Sequence, residues 1–130
     1  MFKRFRRNDK GQALVEFSVS LPVLLLLVAG ILEFSRLGGT LLMVNYGARE
    51  GARAAALGAN DSAIIEQIKQ STLLLDDAKL VVDIDPEVER TSSQNVSVTV
   101  QYPVDINIPI INKITGTPKW VTGSLTMRVE

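Results

Sequence analysis

The chain is 130 residues long, carries 14 basic and 14 acidic side chains, and has a formal net charge of zero. It contains no cysteine and no histidine. That excludes disulfides and an acylated-cysteine lipid anchor, and it removes the usual ligands of a structural zinc site. The length accommodates one small domain and one membrane segment.

Charge is unevenly placed. In residues 1–11, Lys3, Arg4, Arg6, Arg7 and Lys10 stand against Asp9, a net of +4, whereas residues 12–130 carry nine basic and thirteen acidic groups, a net of −4. A basic arm of this kind could bind nucleic acid. Its place directly before an apolar run argues instead for a cytoplasmic flank, where Lys and Arg collect, so no nucleic-acid partner is expected.

Ala13 to Leu32 is a 20-residue run in which Glu16 is the only charged residue. A helix of that length rises about 30 Å, the thickness of a hydrocarbon core. Lipid offers the backbone no hydrogen-bond partners, so helix is the state this run must adopt. Pro22 removes one donor and predicts a bend or a locally melted turn. Glu33 and Arg36 mark the far boundary. The charge asymmetry predicts a cytoplasmic N-terminus and an extracytoplasmic domain after about residue 36.

Three fates are open to such a segment. Signal-peptidase cleavage fits poorly, because the run ends in Glu33-Phe34-Ser35-Arg36 rather than in small residues. A permanent, uncleaved anchor is the second. The third is cytoplasmic-side cleavage after Gly11, which leaves the apolar segment on the mature chain. It would make Gln12 a new, positively charged terminus, with Glu16 as the fifth residue on the same helix face. Glu16 of one chain could then neutralise the amine of a neighbour, offsetting the desolvation of both charges. The alternative is that Glu16 snorkels to the headgroups.

The residues that follow resemble a known family. A basic leader, then Gly11 and Gln12-Ala13-Leu14-Val15-Glu16-Phe17 before an apolar stretch, is similar to type IV pilin precursors of the tight-adherence (Flp, type IVb) branch. Ile31 to Arg36, Asn45 to Ala55 and the ending Leu125 to Glu130 resemble the TadE-like family of minor pilins, or pseudopilins. The resemblance implies prepilin-peptidase cleavage between Gly11 and Gln12, with Glu16 and Phe17 serving assembly. It further implies a structural, non-enzymatic role in pilus biogenesis at the cytoplasmic membrane, alongside other pilins and assembly-platform proteins. Phe17 stands where the type IVb pattern often has Tyr, keeping the ring and losing the hydroxyl. Major Flp pilins are much shorter, which favours the minor-pilin assignment.

Beyond the span, Leu37, Leu41, Val44, Ala48, Ala52 and Ala55 continue a helical repeat. Gly38 and Gly39 each weaken that helix by about 1 kcal/mol relative to Ala and predict a hinge at the membrane exit. Gly47, Ala48, Gly51 and Ala52 form a small-xxx-small stripe that permits close helix approach. It could meet another pilin, but the Ala stripe is more naturally placed on the chain's own sheet. Arg49 and Arg53, with Glu50 beside them, read either as a partner contact or as ordinary ion pairs on a solvated face.

Gly58 suits a left-handed helix end. Asp61 or Ser62 is then expected to cap a second helix over 62–75, with Ile64, Ile65, Ile68, Leu73 and Leu75 on its apolar side. Strands are predicted at Leu80 to Ile84, Asn95 to Tyr102 and Trp120 to Val129, with Val96, Val98, Val100 and Tyr102 on one face. The fold class is α+β: a long transmembrane helix continuing into an extracytoplasmic domain whose second helix packs on a small antiparallel sheet. The corresponding division is a basic leader (1–11), the transmembrane and extended helix (12–57) and the α+β domain (58–130).

Two further segments carry alternatives. Ile106 to Ile114 is unusually apolar for a loop, and reads as a hairpin arm, a membrane-touching segment, a partner surface or a piece buried on the sheet. Asp83, Asp85, Glu87 and Glu89 alternate in a straight run, better suited to guarding an edge strand than to wrapping calcium. No nucleophile-base set stands out, so neither a cofactor, a metal nor an enzymatic activity is expected.

Overall fold

The computed structural model describes residues 9–87, 91–107, 112–114, 116 and 118–130. The basic residues at positions 3–7, Glu89 and residues 108–111 of the apolar segment lie outside the described residues.

A single helix, α1 (Asp9–Ala56), runs for 48 residues, about 72 Å at 1.5 Å per residue. It passes through Pro22 and through Gly38-Gly39 without interruption, so neither a melted turn nor a break occurs there. Proline removes only its own N–H, which frees the Ser18 carbonyl and no other. At the glycines, tertiary contact offsets their low propensity. Thr40 is buried and donates to the Arg36 carbonyl at 3.0 Å, and Val44, one turn on, is fully buried.

The end of α1 is built by Gly58 at φ 82°. Its N–H reaches the Ala55 carbonyl at 3.0 Å, and the Ala59 N–H reaches Ala54 at 3.1 Å. This is the paired Schellman closure that a left-handed residue makes possible.

Helix α2 (Asp61–Ser71) follows at once. Its cap is Asn60, not Asp61 or Ser62. Asn60 has extended backbone and its Oδ1 accepts from the Ala63 N–H at 2.9 Å. The helix also stops four residues short of the expected position 75. Thr72 leaves helical geometry, and its hydroxyl donates to the Ile68 carbonyl at 2.9 Å, competing with the backbone for that acceptor. Ile64 and Ile68 are fully buried as expected, whereas Leu73 is 82% exposed and lies off the packed face.

Three strands, β1 (Val81–Asp85), β2 (Asn95–Val104) and β3 (Lys119–Arg128), form an antiparallel sheet in the order β1-β2-β3. The first is shifted by one residue from its expected place, the second runs two residues further, and the third begins one residue earlier. Alternation selects the inner face: Val96, Val98 and Val100 are fully buried, Val104 nearly so, and Tyr102 half-buried. Across the register, Ile84 and Leu125 flank Val98, and Val82 and Gly123 flank Val100. The outer face is polar, with Thr99 bonded to Ser124 at 3.0 Å and Thr126 to Ser97 at 3.1 Å.

The second half of α1 lies across β2 and β3, and α2 packs against α1. The core joins Val44, Ala48, Ala52 and Ala55 of α1 to Ile64 and Ile68 of α2 and the inner valines of the sheet. An α+β domain is thus grown directly onto the upper half of the long helix.

Candidate membrane anchor and assembly helix

Below Gly30, α1 stands clear of the rest of the described residues. Gln12 to Ala29 are exposed throughout, and the most apolar window has a mean hydropathy of 2.3 with none of it buried. Among the described residues α1 is the one helix long and apolar enough to cross a membrane. It has the make-up of a single-pass anchor. Its hydroxyls need no partner from lipid or protein, since Ser18, Ser20 and Ser35 donate to the carbonyls of Leu14, Glu16 and Ile31 at 2.7, 2.8 and 2.8 Å.

Gly11 and Gln12 sit within the first turns of α1, and Glu16 lies one turn beyond Gln12 on the same face. The Glu16 carboxylate has no hydrogen bond or ion pair among the described residues. Phe17 beside it is 61% exposed. Gln12, Glu16 and Phe17 are thus exposed on one continuous helix, with Gly11 partly exposed beside them.

Gly47, Ala48, Gly51 and Ala52 are buried within the chain. A Cβ on Gly47 would lie 2.9 Å from Thr72 Cγ2, and one on Gly51 would lie 2.6 Å from Ile68 Cδ1 and 3.0 Å from Val98 Cγ1. The stripe lets α2 and the sheet press close to α1. Arg49 and Arg53 are exposed, as a solvated helix face requires, and form no ion pair with Glu50 among the described residues. Asp83 and Asp85 are exposed on β1, an edge strand, and no group of three metal-ligating side chains occurs among the described residues.

The boundary pair does more than mark the end of the span. Arg36 Nη2 lies 2.6 Å from Glu33 Oε1 and also donates to the Asp105 carbonyl, while the Asn107 N–H donates to Glu33 Oε1 at 3.2 Å. The Arg36 hydrogen bond holds the Glu33 carboxyl below the ordinary carboxylate range. Partial burial opposes that effect, and the Asn107 N–H and the Arg36 charge support it. The chain leaving β2 is thereby fastened to α1 just past Leu32. Gly30, Phe34, Leu37, Val104 and Ile106, together with Glu33 of the clamp itself, line a mainly apolar hollow of about 150 Å³. Ile106 is half-buried there, while Ile114 is 81% exposed.

Neither this clamp nor the close approach of Gly123 to α1, where a Cβ would stand 2.9 Å from the Asn45 backbone, is foreseen from the sequence. An acid-base pair three residues apart at the end of an apolar run is a signal for the first, but its partner in the loop is 74 residues away. A glycine inside a β-rich segment is a signal for the second, since it often marks a close backbone approach.

The sequence model of the TadE-like protein family matches residues 11–53. No curated protein and no solved structure matches the chain. The matched segment begins at Gly11, includes Glu16 and the whole apolar span, and ends on Arg53, three residues before α1 does. Over this segment the chain is similar to the TadE-like proteins, a family associated with Tad pili.

Proposed function

We propose that the chain is a minor pilin, or pseudopilin, of a type IVb (Tad/Flp) pilus, cut by a prepilin peptidase between Gly11 and Gln12. It acts as a structural subunit rather than an enzyme. In this reading the basic leader stays in the cytoplasm, α1 crosses the cytoplasmic membrane, and the α+β domain stands outside. Other pilins and the assembly platform are its partners.

One observation carries the proposal. The Glu16 carboxylate is exposed on an apolar helix, one turn from Gln12, with no hydrogen bond or ion pair among the described residues. On insertion scales a charged side chain at the centre of a span costs about 2.5–3.5 kcal/mol, and Glu16, near the start of the apolar run, bears part of that cost. An amine created at Gln12 of a neighbouring chain supplies the compensating charge. The continuous helix then transmits that pairing to the domain as a rigid unit.

N-terminal sequencing of the membrane-extracted protein tests the reading. A mature chain starting at Gln12 supports it; retention of residues 2–11 supports an uncleaved single-pass anchor instead. Gly11→Ala is expected to slow processing, read as a precursor band on a gel. Glu16→Ala is expected to leave cleavage intact and to impair pilus assembly, and normal pili in that variant would remove the charge-pairing argument.

A further inference from the structure

We infer that the membrane-proximal end of the α+β domain rests in the headgroup layer of the outer leaflet, as a second lipid contact beside the anchor. This rests on the reading of residues 13–32 as a membrane span.

The topology decides which end of the sheet faces the bilayer. At one end of α1 the Ala56 carbonyl accepts from the Glu130 N–H at 3.1 Å, so the close of β3 lies far from the membrane. At the other, Glu33 and Arg36 hold Asp105 and Asn107, so β2 runs toward the membrane and β3 starts there. Lys119 pairs across the sheet with Val104, and Trp120 with Pro103.

The hollow at this end crosses the expected lipid boundary. Gly30, one of its lining residues, lies inside the span; Phe34, Leu37, Val104 and Ile106 lie beyond it. Gly30 to Leu37 covers about 10 Å of helix, and the headgroup layer adds about 5–7 Å beyond the hydrocarbon. The hollow is therefore continuous with the lipid-facing surface of α1. Phe34 beside the hollow is 78% exposed, and at the same end of the domain Ile114 (81%) and Lys113 in the segment joining β2 to β3, and Lys119 and Trp120 (56%) at the start of β3, are exposed as well, Trp120 on the outer face of the sheet. Aromatic rings sit well at headgroup depth, and lysines reach phosphate. In water, this apolar set would be left uncovered at the foot of a small domain. The occupant it fits is phospholipid, with acyl chain against the hollow and headgroup against the lysines.

The chain contains one tryptophan, which makes the test direct. The full protein is reconstituted in vesicles of zwitterionic and anionic phospholipid, with bromine on the acyl carbons nearest the headgroup. Integration is checked by resistance to alkaline carbonate. Retained protein with blue-shifted Trp120 emission, quenched about twofold by the bromolipid, is the expected result. Phe34→Ser together with Ile114→Ser, both at exposed positions, is expected to reduce that quenching while the protein stays retained. Retained protein with water-like, unquenched emission overturns the inference and leaves the anchor standing. A blue shift without bromolipid quenching assigns the surface to a second copy, and also overturns it. Release by carbonate overturns the anchor and the footing together.

Discussion

Glycine does opposite things at different positions of this chain, and the difference lies in what faces the missing Cβ. A Cβ on Gly123 would stand 2.9 Å from the Asn45 Cα, the Asn45 N and the Val44 carbonyl carbon. All three are backbone atoms, and no rotamer change relieves them. Gly123→Ala is expected to cost about 1–3 kcal/mol, measured as a lower denaturation midpoint of the detergent-solubilised protein. Gly39 has nothing within 4 Å and lies in unbroken helix. Gly39→Ala is expected to stabilise by up to about 1 kcal/mol in the same measurement. Gly47 falls between the two, because the atoms it would meet are side-chain methyls of Thr72 and Ile68. The propensity cost of Gly39 is legible in the sequence, but the clash at Gly123 is not, since it depends on a helix about 80 residues earlier.

The elements are held by local closures and by long-range hydrogen bonds, the clamp at Glu33 among them. Gly58 at φ 82° closes α1, and Asn60 opens α2 two residues later. Gly58→Ala should cost about 1–2 kcal/mol from the left-handed backbone. Asn60→Ala should cost about 1 kcal/mol from the lost cap. Both are read by thermal melting. The clamp between α1 and the segment after β2 depends on Glu33 being ionised. Its carboxyl is held below the ordinary range in the folded chain, so the stabilisation is fully present above the unfolded carboxylate pKa. It is lost as pH falls through the lowered folded value. Hydrogen-exchange protection of the Asn107 amide should therefore hold at neutral pH and collapse on acidification. Arg36→Ala should move that collapse toward higher pH. Protection unchanged at low pH would show that Asn107 is held by something other than the carboxylate.

At the scale of the whole molecule, the chain divides by what each half of α1 touches. Among the described residues no part of the core precedes Leu37, whereas Val44, Ala48, Ala52 and Ala55 share the core with α2 and the sheet. A polypeptide of residues 37–130 is expected to melt cooperatively in water without detergent. One of residues 58–130 loses one wall of the core, and with it the surface on which the inner valines are buried, so it should show no cooperative transition. Circular dichroism melts of the two fragments check this. Cooperative folding of the shorter one would mean that the helix is an accessory to the sheet rather than part of its core.

Sequence by itself determined the apolar span, its ends at charged residues, the left-handed close of the long helix and the two-residue alternation that names the inner valines of β2. Each of these depends on near neighbours or on transfer from water, and so is written in a short window. Only the tertiary structure decided that the small-residue stripe at Gly47, Ala48, Gly51 and Ala52 is covered by α2 and the sheet, that Asn60 rather than Asp61 caps α2, and that Gly123 sits under Asn45. It also decided that Glu33 reaches across to Asn107. Close packing and hydrogen bonding act on whatever the fold brings within a few ångströms. Residue spacing along the chain carries no record of which distant segment that will be.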